Sequence, residues 1–194
     1  MCALGEPLSS EPDVGEVLEA LFVDRALIDG LRAHAARLHH VGMLAPSGLD
    51  VAAAGEAVAA SPFAARLGTF KSVVLAKDLA AHVGHAVDVS VVSGFASSRP
   101  LRFPEVEVFV ASLPATELEP VVAEEFGCHV ALELRADTSF PAVLDLLHAH
   151  RCWELPLMRS GPMTNSEIKS RVLYVDIERE GRMRRLEFIA STVP

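Results

Sequence analysis

The chain has 194 residues, 51% apolar and 22% charged, enough to bury one large core or two half-size ones. Its net charge of -9 repels phosphate backbones, and EGRMRR is its one basic cluster, so nucleic acid is excluded as the expected partner. No window holds the about 20 consecutive apolar residues that a membrane span needs, and the acidic start MCALGEPLSSEPDVGEV lacks the basic and apolar regions of a signal peptide.

A cytoplasmic protein with no membrane partner is the expectation. The three cysteines, Cys2, Cys128 and Cys152, agree with it. They are odd in number and share no CxxC spacing, which argues for a reducing compartment and against a disulfide framework or a thiolate zinc site. A small molecule or a protein is the remaining class of partner.

Residues 1–12 show no periodicity. From Val14 to Leu38 apolar residues recur near helical spacing, at Val14, Val17, Leu18, Leu21, Phe22, Leu27 and Leu31. This predicts one or two amphipathic helices, with Asp24 as N-cap of the second. Their apolar stripe suits the outside of a sheet or a subunit interface, which leaves a homodimer open.

HHVGMLA (39–45) reads as a strand broken by PSGLD, and VAAAGEAVAA as a helix stopped at Ser61 and Pro62. Three strands are expected next, at TFKSVVLA (69–76), AVDVSVVSG (86–94) and EVEVFVAS (105–112). ATELEPVVAEEFG reads as a short helix closed by Gly127.

The order then recurs. CHVALELRA is a strand and SFPAVLDLLHAHR a helix with Pro141 in its first turn. WELPLM is extended, SGPMTNSE a loop, RVLYVDIE a strand, REGR a turn and RLEFIAST the last strand. Strand, helix, three strands therefore occurs twice, a duplication of pattern at low residue identity. It divides the chain into a helical extension (1–37), a first module (38–112), a linker helix (113–127) and a second module (128–194).

Aligning the halves on their first strands makes the polar intruders coincide. His40 and His129 open the two first strands, while Glu107 in VEVFVA and Glu187 in LEFIAS sit in the two last ones. A carboxylate in an apolar run is costly to bury unless it is paired or binds a metal. Two histidines and two glutamates at matching positions suit a divalent ion: Zn, Ni, Co, Mn or Fe. Glu105 shares a strand face with Glu107, so the register is open by two residues. The alternative is buried histidines satisfied by hydrogen bonds and a carboxylate facing solvent.

LHHVGMLA, CHVALEL, FPAVLDLLHAHR and RVLYVDIEREGRMRRLEFI together resemble the vicinal oxygen chelate superfamily over residues 38–192. Its members include glyoxalase I, methylmalonyl-CoA epimerase, extradiol dioxygenases and the fosfomycin and bleomycin resistance proteins. The resemblance implies an α+β fold of two βαβββ modules, forming a curled mixed sheet around a metal cleft. The metal ligands it implies are His40, Glu107, His129 and Glu187, with Glu107 and Glu187 as the catalytic carboxylates. His39 is then expected to face away from His40, as strand neighbours do.

The implied function is metal-dependent isomerase, epimerase or lyase chemistry on a small oxygen-rich metabolite through a metal-stabilised enolate. If only His40, His129 and Glu187 bind, an Fe(II) dioxygenase is the alternative; a metal-free ligand-sequestering protein is the third reading. The polar segment RSGPMTNSEIKSR offers Arg159, Asn165 and Lys169 for a substrate carboxylate or phosphate. Glu133 is expected at the rim of the pocket, His82 and His85 on a surface loop, and His148 and His150 in structural roles near a helix C-terminus.

Overall fold

The computed structural model describes residues 14, 18–19, 24–96, 105–150, 159–162, 170–179 and 182–191. Residues 14, 18 and 19 are helical. Helix α1 (Arg25–His34) follows, and the Asp24 carboxylate accepts from the Ala26 and Leu27 amides at 2.9 and 3.2 Å, as an N-cap should. The helix ends three to four residues earlier than its periodicity predicts. Strand β1 runs over Ala35–Leu44, so 35–38 is strand rather than helix. Leu38, His40, Gly42 and Leu44 are all buried at a period of two. Here sheet pairing overrides the local helical propensity of AHAARL.

Helix α2 (Val51–Ala59) is capped by Asp50 and followed by β2 (Arg66–Lys71). The strand expected over 69–76 is a second correction. Only its start is extended; the Ser72 hydroxyl then accepts from the Leu75 amide at 3.3 Å and opens α3 (Val73–Val83). Gly84, at φ +83°, closes that helix in a left-handed conformation that costs glycine little. The β-branched pair Val73 and Val74 imitates a strand in sequence, but the cap decides.

Strands β3 (Val89–Phe95) and β4 (Glu105–Ala111), helix α4 (Ala115–Ala123), strand β5 (His129–Leu134) and helix α5 (Phe140–Ala149) lie where the sequence places them. Short β6 (Arg159–Pro162) and the long pair β7 (Ser170–Arg179) and β8 (Arg182–Ser191) complete the described fold. Part of the segment expected as a loop, residues 160–162, is strand. Among the described residues no helix is long and apolar enough to cross a membrane.

The chain divides into two compact units, one within residues 40–128 and the other within 10–39 and 129–194. In the first, the sheet order is β2-β3-β4-β1, with β1 parallel to β4 and the other pairs antiparallel. Helix α2 packs Ala54 and Val58 with Phe63, Val92 and Val106 on one face. Helices α3 and α4 cover part of the opposite face, where Leu75, Leu79, Leu118 and Val121 meet Leu44, Val89, Val91 and Phe109.

In the second unit the order is β5-β8-β7-β6, with β5 parallel to β8 and the rest antiparallel. Ala131, Val172 and Ile189 form a small buried cluster joined by Tyr174. Each unit thus carries an α+β arrangement with a mixed sheet in the same internal order: first, fourth, third, second. In the first unit α3 is inserted between the second and third strands.

Candidate metal centre

In the first unit His40 occupies the middle of β1 and is 4% exposed. Its parallel neighbour β4 pairs Glu105 with His40 and Glu107 with Gly42, so both carboxylates share the histidine's face. His40 Nε2 lies 3.7 Å from Glu107 Oε2. In the second unit His129 opens β5 at 8% exposure and Glu187 lies in β8 at 3%. His129 Nε2 is 3.3 Å from Glu187 Oε2.

The registers of the two units agree. Glu107 is the partner of the residue two beyond His40, and Glu187 is the partner of the residue two beyond His129. Arg185 pairs with His129 as Glu105 pairs with His40. Glu107, not Glu105, is therefore the positional equivalent of Glu187. The sequence left that choice open because strand alternation cannot separate residues two apart.

Both nitrogen–oxygen spacings exceed the about 2.7–3.2 Å of an ordinary N–H···O bond. Two donors bound at about 2.0–2.2 Å to one ion stand about 2.8–3.6 Å apart at octahedral to tetrahedral angles. The second unit's pair lies within that span and the first unit's just above it. Imidazole and carboxylate donors, nearly shielded from water, form a set that fits a borderline divalent ion. His39 does not follow the expectation of facing away: its ring nitrogen and that of His40, consecutive along β1, are within 4.8 Å of each other.

Arg159 is the first residue of β6, across from Tyr174. Asn165 and Lys169 lie outside the described residues. Glu133, on the His129 face of β5, is taken up by Arg37, whose Nε is 2.5 Å from it. His85 binds the Glu117 carboxylate at 2.7 Å, and that hydrogen bond, with a smaller one to the Ala86 carbonyl, raises its pKa above the usual imidazole value. His82 instead packs its ring on Phe126, with centroids 5.1 Å apart. The HxxH spacing therefore joins two separate surface contacts. His150 pairs with Asp24 at 2.8 Å. The Cys128 thiol is pushed up by burial, which suits an inert side chain.

Three residues on these strand faces were not singled out in the sequence. Ser93, 4% exposed, is the cross-strand partner of Glu107; Tyr174 is the partner of Glu187. The Arg185 guanidinium lies 5.7 Å from the Tyr174 ring centroid. Only the strand registers reveal these neighbours.

No protein-family model matches the chain, and no curated protein matches it in sequence. Solved structures of methylmalonyl-CoA epimerase, a member of the superfamily that the sequence resembles, are similar to it. The enzyme from Mycobacterium tuberculosis has 11% identity and a TM-score of 0.45, covering 86% of this chain and 92% of its own. A variant of the Streptomyces coelicolor enzyme in complex with 2-nitronate-propionyl-CoA has 16% identity and a TM-score of 0.44, covering 82% and 99%. A methylmalonyl-CoA epimerase in complex with methylmalonyl-CoA has 16% identity and a TM-score of 0.43, covering 82% and 96%. Likeness of this degree carries no activity over to this chain.

Proposed function

We propose that this protein is a metal-dependent enzyme of the vicinal oxygen chelate type, in which His40, Glu107, His129 and Glu187 hold one divalent ion. One observation carries the reading: a histidine–glutamate pair, with the histidine buried in each case, recurs in the same strand register in both units. A structural ion pair needs no duplicate, whereas a four-donor site built from two similar halves does.

When bound, the ion supplies Lewis acidity, polarising a substrate carbonyl and stabilising the enolate left by proton removal. His40 and His129 present Nε2 as donors. Glu107 and Glu187 are the carboxylates able to take a proton from the carbon beside that carbonyl and return it. Arg159, Asn165 and Lys169 are proposed to hold a carboxylate or phosphate on the substrate.

The reaction class is isomerase, epimerase or lyase on a small oxygen-rich metabolite. An Fe(II) dioxygenase would use only His40, His129 and Glu187, and the pairing of Glu107 with His40 favours four donors over three. Elemental analysis of protein purified without added metal tests the reading: one ion per chain is expected, lost in both His40→Ala and His129→Ala. Two ions per chain, or a stoichiometric ion retained in His40→Ala, would overturn it.

A further inference from the structure

Each glutamate of the proposed site faces a hydroxyl-bearing residue across the adjacent antiparallel strand. Ser93 in β3 is the partner of Glu107 in β4, and Tyr174 in β7 is the partner of Glu187 in β8. Partners in a sheet point to the same side, with Cβ atoms about 4.5–5.5 Å apart, close enough for side chains to touch. The same third-strand position therefore holds a hydroxyl in both units.

Ser93 is the more telling of the two. It is 4% exposed and stands on the face of β3 that meets Glu107. A hydroxyl this little exposed, in a strand rich in valine, calls for a reason. Its other cross-strand neighbour is Gly68, where a methyl group would stand 2.8 Å from Ser93 Oγ. The strand on one side of Ser93 thus leaves the hydroxyl room, and the strand on the other side offers it a carboxylate.

We infer that Ser93 and Tyr174 are positioning residues, whose hydroxyls donate to the Glu107 and Glu187 carboxylates and hold them in ligating orientation. A carboxylate that gives one oxygen to an ion leaves the other needing a donor, and such outer partners fix ligand geometry. Across the strand pair from Glu107, the Ser93 hydroxyl stands where it can supply that donor. Tyr174 takes the equivalent place, and its ring lies near Arg185 on one side and the Val172–Ile189 cluster on the other. The inference rests on the four-donor reading above.

Co²⁺ titration followed by calorimetry tests it on the full chain, with Ser93→Ala, Tyr174→Phe and, as control, Ser90→Ala on the opposite face of β3. Tyr174→Phe removes only the hydroxyl, so its fold stays intact even if the serine variant is perturbed. Each of the two site variants should bind Co²⁺ about 10- to 100-fold more weakly than the wild type, with the metal-free melting temperature unchanged. Ser90→Ala should bind as the wild type does. Tyr174 is the single tyrosine beside a single tryptophan, Trp153, so the part of the near-ultraviolet difference signal on Co²⁺ addition that is lost in Tyr174→Phe reports on Tyr174. Wild-type affinity in both site variants overturns the inference and leaves the four-donor site standing. Failure of the wild type itself to bind Co²⁺ or Zn²⁺ overturns that site instead.

Discussion

Glu187 sits between Leu186 and Phe188 in β8 with 3% of its surface exposed, and its neighbours in the sheet are Ala131 and Tyr174. Removing one member of a buried structural ion pair is unfavourable by about 3–5 kcal/mol, because the other charge is left without compensation. A metal ligand in its metal-free state behaves differently, since its burial without the ion is unfavourable. Glu187→Leu is therefore expected to leave metal-free stability unchanged or raise it by about 1 kcal/mol, while abolishing ion binding. Urea denaturation with chelator present decides it, and a loss of several kcal/mol would mark the pair as structural. At this scale the sequence was informative where a residue broke its surroundings. His40, Glu107, His129 and Glu187 interrupt apolar runs and could be found. Ser93 could not, because a serine in VVSG reads as ordinary alternation and becomes notable only when β3 is set against β4.

Helix α2 and strand β3 show how closely two elements approach. A methyl on Gly94 would stand 2.3 Å from Val58 Cγ1 and 2.7 Å from the Phe63 carbonyl oxygen, a backbone atom that cannot step aside. Gly94→Ala should lower stability by about 3 kcal/mol, the upper end for overpacking. Gly55, inside α2, has nothing within 4 Å of the same position; Gly55→Ala should raise stability by about 0.5–1 kcal/mol through helix propensity. Chemical denaturation of both checks the opposite signs. The ends of α1 and α5 are tied by Asp24 and His150, whose hydrogen bond, with the capped Leu27 amide, lowers the Asp24 pKa. A depressed carboxylate stabilises the fold fully above its unfolded pKa and loses that contribution as pH falls through the folded one. The denaturation midpoint of wild type should therefore exceed that of Asp24→Asn above the ordinary carboxylate range, and the gap should close in acid; a gap independent of pH would refute the tie. Element boundaries were legible where caps and alternation agreed, as in β4, β5 and α5. They were misread at β1 and α3, where sheet pairing and a single serine cap outweigh the pattern of apolar residues.

At the scale of the chain, the recurrence of four strands in each half was readable from the succession of periods and turns, though not α3 inserted in the first. What could not be read was the company kept by residues 24–39. Asp24 meets His150 and Arg37 meets Glu133 across more than ninety intervening residues, and local patterning records nothing of such distant partners. The consequence concerns birth order on the ribosome. The strands and helices of the unit within 40–128 follow one another along the chain and can close as soon as the last of them emerges. Leu27, Ile28 and Leu31, at 0–2% exposure in the finished protein, belong to the other unit and must wait for α5 and the strands after it. Translation thus strands an early, sticky helix beside a neighbour that has already matured, and shelter comes only with the final third of the message.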